Sequence, residues 1–144
     1  MKKFKDLMLF LLIYIFAFAC AFAATYFMKI ESVMLNVFIF DIIATIIVYI
    51  FSVICKNSSV YDPYWSVLPG GAAVYLVIAY ENFTTIHLLV LLAILIWSFR
   101  LTINWIIVTS GFSYEDWRYK HYRDKAGNNK LMWFIYNFFG IFIS

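Results

Sequence analysis

The residues best suited to chemistry are concentrated in one short stretch near the end of the sequence. Residues 114–125 read YEDWRYKHYRDK and hold seven charged side chains, although only 13% of the chain is Asp, Glu, Lys or Arg. On a helix of 3.6 residues per turn, Glu115, Arg118 and Tyr119 share one face. An acid, a cation and a phenol so placed could bind or polarise a substrate. The same spacing also fits an interfacial helix with aromatic anchors and self-paired charges, and periodicity alone leaves both open.

Two more candidates are ionisable residues inside long apolar runs. Asp41 and Arg100 each interrupt such a run, and Asn104 follows Arg100 by one helical turn. A charge within a membrane is a functional hypothesis by default. Their depths should differ by about 10 Å at 1.5 Å per residue, so we do not expect them to pair. We expect Arg100 to face Asp62 or to snorkel, and Asp41 to be a buried acid that hydrogen-bonds a neighbouring helix.

The composition indicates the surroundings of the helices that carry these residues. The chain has 144 residues, is 65% apolar and has a mean hydropathy of +0.87, whereas soluble domains are about 45–50% apolar. The sequence therefore predicts a protein of the lipid bilayer. The net charge of +3 is too small to indicate a nucleic-acid partner. Cys20 and Cys55 lie near opposite ends of neighbouring runs, so neither a disulfide nor a metal site is predicted.

The apolar runs predict an all-α, polytopic transmembrane helix bundle that forms a single domain over residues 1–144. Four full spans and the start of a fifth are expected, at about residues 7–28, 33–55, 66–80, 85–109 and 130–144. Ser113 opens a sequence typical of a capping box, which predicts a short interfacial helix from Tyr114 to about Ala126. The competing interpretation of the first run is a cleaved signal peptide, since small residues at 21–23 follow a basic start.

The basic residues predict the orientation. With a cytoplasmic N-terminus, nine of the eleven Lys and Arg residues lie on the cytoplasmic side, one lies outside and one lies within a helix. This distribution follows the positive-inside rule. The charged stretch at 114–125 is then a cytoplasmic interfacial helix.

Three ordered motifs, SVYDPYWSVLP (59–69), WSFRLTINW (97–105) and SYEDWRYKHYRDK (113–125), resemble those of a known group. The chain resembles the front half of a bacterial membrane family of unknown function that is related to the steroid 5-alpha-reductases. The resemblance covers residue 59 to the end, and the first two helices match only in character. The matching residues are an Asp-x-x-Trp pair, an Arg-Leu pair and a Glu-Asp-x-Arg-Tyr box: Asp62, Trp65, Arg100, Leu101, Glu115, Asp116, Arg118 and Tyr119.

The resemblance implies an activity and a location. It implies NADPH-dependent reduction of a carbon–carbon double bond next to a carbonyl, in a lipid or sterol-like substrate, with an acid group that polarises the carbonyl. It also implies a cavity open to the cytoplasm and a place in the bacterial inner membrane. The matching residues, with Asn104, are then candidates for supporting that cavity.

One feature of the reductases is missing from the sequence. Their Arg-His-Pro-x-Tyr cofactor motif does not occur here, and Pro69-Gly70-Gly71 is not a dinucleotide-binding loop. We therefore expect the chain to be the N-terminal part of a longer reductase-like protein, with the main NADPH contacts in the remainder.

Two other functions stay open. The first is a membrane methyltransferase of the isoprenylcysteine carboxyl type, which would use S-adenosylmethionine and whose back half is similar to that of the reductases. The second is a non-catalytic membrane scaffold, in which Arg100 and the Glu-Asp-x-Arg-Tyr box only tie helices together.

Overall fold

The computed structural model describes residues 2–81, 83–113, 115–127 and 129–142, and it gives the side chains of all of these except 141 and 142. Over these residues the chain is helical and contains no strand, so the predicted all-α class is confirmed. The α-helices are α1 (Lys2–Met28), α2 (Val33–Cys55), α3 (Tyr64–Ala79), α4 (Thr85–Val108), α5 (Trp117–Ala126) and α6 (Lys130–Asn137). Two 3₁₀ turns, Ser58–Val60 and Gly111–Ser113, and a π-helical turn, Phe138–Phe142, complete the described elements.

The core lies between α1 and α2. Both are long apolar helices joined by a short turn, in which the Ser32 side chain caps α2 by accepting a hydrogen bond from the backbone of Leu35. Ala17, Ala21 and Ala44 are fully buried. Small side chains let two helices approach closely, and close packing is what drives helix association in lipid.

A second pair consists of α3 and α4, and hydroxyl groups join the two helices. Ser98 of α4 donates a hydrogen bond of 2.5 Å to the backbone carbonyl of Ser66, and the hydroxyls of Ser66 and Thr102 lie 2.9 Å apart. Gly70 faces Ser98, where a Cβ atom would come within 2.7 Å of the serine oxygen. This contact fixes which face of α4 is turned toward α3.

Three of the helices are long and apolar enough to cross a membrane: α1, α2 and α4. A multi-pass membrane protein follows from these three. The third predicted span, α3, has 16 residues and contains Pro69. The fifth begins as α6 and passes into the π-helical turn, while residues 143 and 144 lie outside the described part. The number of membrane spans, four followed by the start of a fifth, therefore stays a prediction.

The predicted start of the interfacial helix is wrong. The helix α5 begins at Trp117 and is capped by Asp116, whose carboxylate accepts a hydrogen bond from the backbone of Arg118. Ser113 belongs to the preceding 3₁₀ turn, and Tyr114, the predicted first residue, lies outside the described residues. Glu115 and Asp116 therefore precede the helix, and the predicted face of Glu115, Arg118 and Tyr119 does not exist.

A long-range contact explains this difference. The backbone N–H of Phe112 donates a hydrogen bond of 3.1 Å to the Asp6 carboxylate of α1. Gly111 has a φ of +72°, and a Cβ there would come within 2.3 Å of Asp6. The 3₁₀ turn is thus held against α1 and delays the start of α5, which local sequence could not show.

Candidate functional site

The segment between α2 and α3 is buried, although its composition predicts an exposed polar loop. Asn57, Ser58, Ser59 and Val60 are all at most 4% exposed. The segment turns back along α1 and α2 instead of leaving the bundle. Backbone outside regular helices is tolerated at membrane depth only where protein or a water-filled cavity surrounds it. The buried segment 57–63 therefore marks the candidate site.

Several elements hold the buried segment in place. Tyr14 of α1 donates a hydrogen bond of 2.5 Å to the Val60 carbonyl. Tyr14 follows Asp6 by eight residues, so Val60 lies about 12 Å along α1 from the turn at 111–113. At its start, the Asn57 amide donates to the carbonyl of Phe112 at 3.0 Å. These contacts involve α1 and the turn before α5.

The end of the described chain also contacts this segment. The Ser58 hydroxyl donates a hydrogen bond of 2.7 Å to the amide oxygen of Asn137, the last residue of α6. Asn137 is 1% exposed. A buried Ser–Asn contact of this kind is costly to break, because it leaves polar atoms unsatisfied.

Asp62 and Tyr119, which we call the acid–phenol pair, form the central contact of the site. The Tyr119 hydroxyl of α5 donates a short hydrogen bond to the Asp62 carboxylate. Tyr119 is 7% exposed, and Asp62 is half-buried. The pair joins the interfacial helix to the buried segment.

Burial dominates the electrostatics of this pair. Desolvation raises the pKa of Asp62, and the hydrogen bonds from Tyr119 and Ser59 only partly offset it. Desolvation, together with the nearby Asp62 charge, also raises the pKa of Tyr119. A phenol of this kind keeps its proton and can act as a donor, and the carboxyl group gains a proton more easily than an exposed one does.

The remaining charges of the Glu-Asp-x-Arg-Tyr box pair locally. Arg118 forms a 2.8 Å ion pair with Asp116, and Arg123 forms a 2.6 Å ion pair with Glu115. Arg118 lowers the pKa of Asp116 and Asp116 raises that of Arg118, in each case chiefly through their side-chain hydrogen bond. The Arg118 side chain is 56% exposed, so solvent screens this pair and its contribution to stability is small.

Two hydrogen bonds from backbone N–H groups join the Glu-Asp-x-Arg-Tyr box to the buried segment. The backbone N–H of Asp116 donates to the Ser59 hydroxyl at 3.0 Å, and that of Ser58 donates to Glu115 at 3.4 Å. The guanidinium of Arg118 lies 5.5 Å from the centre of the Tyr119 ring. Glu115 and Asp116 thus connect the start of α5 to the buried segment, and Arg118 contacts the ring of Tyr119.

Asp41 forms the hydrogen bond to a neighbouring helix that we expected. Its carboxylate accepts from the Tyr64 hydroxyl of α3 at 3.0 Å and from Thr45, one turn away on α2, at 3.2 Å. Tyr64 is 1% exposed. This contact fastens the start of α3 to the middle of α2, and it is distinct from the acid–phenol pair.

Arg100 forms no ion pair with Asp62 among the described residues, so of the two expectations for Arg100 only snorkelling stays open. Arg100 and Asn104 are exposed on α4, and neither forms an ion pair or hydrogen bond among the described residues. Trp65 is 44% exposed and contacts Trp97, with ring centroids 5.8 Å apart. The physical reason is that the Ser66–Ser98 contact turns the opposite face of α4 toward α3.

Sequence reasoning missed several residues that build the site. Asp6, Tyr14 and Ser59 hold the turn at 111–113 and the buried segment, as described above. A sequence signal existed for Asp6, since it is an acid at the start of an apolar run. Tyr14 and Ser59 are common residue types without special spacing, and only their tertiary contacts reveal them.

The described residues do not by themselves fit a dinucleotide. The diphosphate of a dinucleotide is typically held by the backbone N–H groups of a glycine-rich turn at the start of a helix. Gly70 and Gly71 lie inside α3 and form no such turn. What these residues can supply is a buried hydrogen-bond donor.

A groove of about 570 Å³ runs along the outer side of α3 and α4. Its lining is mostly apolar: Val67, Gly70, Gly71, Leu95, Ile96, Ser98, Phe99 and Thr102. Neither Asp62 nor Tyr119 lines it. The groove is therefore separate from the acid–phenol pair.

Comparison with family models finds a match over most of the chain. Residues 48–144 match a family described as a protein of unknown function, DUF1295. The chain belongs to the DUF1295 family. The match includes the buried segment, Arg100 and the whole Glu-Asp-x-Arg-Tyr box, and it begins within α2. No curated protein and no solved structure matches the chain.

Proposed function

We propose that this DUF1295 protein takes part in the reduction of a carbon–carbon double bond conjugated to a carbonyl, in a lipid or sterol-like substrate. In this proposal the chain supplies the group that polarises the carbonyl. It lies in the bacterial inner membrane with a cytoplasmic N-terminus and four spans followed by a fifth. NADPH is the proposed reductant, and it would supply a hydride.

The acid–phenol pair is the single observation that carries the proposal. A phenol that is 7% exposed and bonded to a half-buried carboxyl group is a hydrogen-bond donor in a low-dielectric setting. Such a preorganised donor stabilises negative charge that develops on a carbonyl oxygen. In an enone, that charge develops when the β-carbon is reduced.

The raised pKa of Asp62 decides which group of the pair donates the hydrogen bond. When Asp62 is protonated it can donate to the Tyr119 oxygen, and the phenol hydrogen is then free to point at a substrate carbonyl. Because the pKa of Tyr119 is also raised, the phenol stays a donor and does not act as a base. Asp62 is thus the positioning acid and Tyr119 the group that contacts the substrate.

The proposal assigns no hydride step to the described residues, because they do not fit the cofactor. Their part is to orient the carbonyl and to hold a proton at the Tyr119 oxygen. Tyr14, Ser59 and Asn137 keep the buried segment in the position that this geometry needs.

The experiment is a turnover assay on the protein in membranes of its native source. A 3-oxo-4-ene sterol and NADPH are added, and the product is analysed by mass spectrometry. The proposal predicts a product two mass units heavier, from addition of a hydride and a proton. Tyr119→Phe should abolish turnover, whereas Tyr122→Phe, one turn on in α5, should retain it.

The scaffold alternative is favoured by a different observation. Arg118 and Arg123 are neutralised by Asp116 and Glu115, so most of the charged box is already satisfied within the chain. If a folded protein, verified by circular dichroism, reduces neither sterol nor acyclic lipid enones, the scaffold function would replace the reductase.

A further inference from the structure

The outer face of α4 is the least covered surface of the three candidate spans. Only 6% of its apolar window is buried, compared with 28% for α1 and 22% for α2. An apolar face open to lipid needs no explanation by itself. The polar residues on this face do need one.

Arg100 lies on the side of α4 opposite Ser98, the residue that packs on α3. Ser98, two residues earlier, is 8% exposed and contacts α3. Residues two apart on a helix point in different directions, so Arg100 projects outward. It lies eight residues before the end of α4, which is about 12 Å along the helix axis. A lipid-exposed arginine at such depth is costly without a partner.

The surroundings of Arg100 resemble the centre of an interface. Trp97 and Asn104 lie one turn before and one turn after it on the same side of the helix, and Trp65 of α3 contacts Trp97. Both tryptophans are more than 40% exposed. Trp and Arg are the side chains that dominate binding energy at interfaces. We call these four residues, Trp65, Trp97, Arg100 and Asn104, the tryptophan–arginine patch.

We propose that the tryptophan–arginine patch docks a transmembrane helix that carries one carboxylate at the depth of Arg100. Charge complementarity decides the occupant, because Arg100 and Asn104 have no partner among the described residues. A carboxylate gives the guanidinium a bidentate partner.

A second copy of this chain fits less well. A two-fold interface pairs each residue with a complementary residue of the other copy, so Arg100 would need an acid of this same chain at membrane depth. The acid that α2 contributes at membrane depth is Asp41, and its carboxylate is already bonded to Tyr64 and Thr45. Asp6, the acid of α1, accepts from Phe112.

The test uses the full chain, reconstituted in phosphatidylcholine vesicles and labelled with a donor fluorophore. The probe is a Leu/Ala transmembrane peptide of about 20 residues that bears an acceptor and one central Glu, and the matched probe carries Gln instead. We expect energy transfer to report roughly ten-fold tighter association of the Glu peptide. Arg100→Gln should remove this preference, and Phe99→Leu, at the adjacent exposed position, should keep it.

A charge-reversal variant distinguishes a loss of the specific contact from a loss of folding. Arg100→Glu should bind a peptide with a central Lys better than one with Glu, and circular dichroism should give the same helix content for each variant. Equal binding of the Glu and Gln peptides to the wild type would overturn the proposal. So would a Glu preference that survives in Arg100→Gln. A Glu preference that disappears when phosphatidylglycerol is added would assign Arg100 to lipid phosphate and would also overturn it.

Discussion

Tyr119 of α5 donates a hydrogen bond to Asp62, which lies 57 residues earlier in the buried segment between α2 and α3. This contact connects a helix with a strongly polar sequence to the interior of a membrane bundle. Four of the charges within residues 115–125 are paired with one another. Two of the cations neutralise neighbouring acids, and the phenol between them reaches inward.

The raised pKa of Asp62 predicts how stability depends on pH. A group whose pKa is higher in the folded than in the unfolded state contributes stability below its unfolded pKa and loses it as pH rises through the folded value. For Asp62 this loss begins above the ordinary value of 3.8. Thermal unfolding in detergent should therefore show the wild type losing stability as pH rises above about 4, relative to Asp62→Asn.

Asp116 provides the control for this pH dependence. Its pKa is lowered, so its contribution is present above 3.8 and is lost as pH falls through the folded value. Asp116→Asn should therefore keep most of the loss of stability above pH 4, reduced only slightly because the Asp116 charge contributes a small part of the raised pKa of Asp62. A wild-type slope in Asp62→Asn would contradict the assignment to Asp62.

Gly111→Ala should destabilise the protein for two separate reasons. The residue has a φ of +72°, and its Cβ would collide with the Asp6 side chain. We expect a loss of about 1–3 kcal/mol in the free energy of unfolding. Gly127→Ala is the matched control, since its φ is +55° but nothing lies within 4 Å of a Cβ, and about 1 kcal/mol is expected there. Equal losses would show that the contact with Asp6 is unimportant.

Gly70 and Gly71 provide a second matched comparison. Both lie inside α3, but only at Gly70 would a Cβ meet Ser98, at 2.7 Å. Gly70→Ala should cost about 1–3 kcal/mol through the contact with α4, whereas Gly71→Ala should stabilise the helix by up to about 1 kcal/mol. Chemical unfolding in mixed micelles would measure both, and a stable Gly70→Ala variant would argue against the α3–α4 packing.

Asp41 should tolerate only a polar replacement. Asp41→Leu removes the carboxylate partner of the buried Tyr64 hydroxyl, which keeps Thr45 and the backbone carbonyl of residue 41 as partners, and should cost about 1 kcal/mol. Asp41→Asn keeps an acceptor oxygen and should cost clearly less than Asp41→Leu. Thermal unfolding of both variants would measure this, and if Asp41→Leu matched Asp41→Asn, the contact would have no role in stability.

The long apolar runs predicted the helices well, because helix length in a bilayer is set by local composition. The run at 33–55 corresponds to α2 in both bounds, and that at 85–109 differs from α4 by one residue. The start of α5 could not be predicted, because it depends on the contact between Asp6 and Phe112, 106 residues apart. The burial of residues 57–60 depends on Tyr14 and Asn137 in the same way.

Only part of the predicted set of site residues lies together, and the pairing of those residues was not predicted. Asp62, Glu115, Asp116, Arg118 and Tyr119 do come together, as the three motifs suggested. Asp62 meets Tyr119, however, and Arg100 faces away from both. Contacts among Gly70, Ser66 and Ser98 decide which face of α4 packs on α3. Because α4 is apolar nearly all round, its sequence gives no local signal for that face.

The most direct measurement is the ultraviolet absorption maximum of a 3-oxo-4-ene sterol bound to the protein in micelles, without cofactor. A strong hydrogen bond to the carbonyl moves this maximum to longer wavelength. The acid–phenol pair predicts such a shift for the wild type and for Tyr122→Phe, and its loss in Tyr119→Phe. A bound sterol with the same absorption maximum in wild type and Tyr119→Phe would contradict the claim that Tyr119 polarises the substrate.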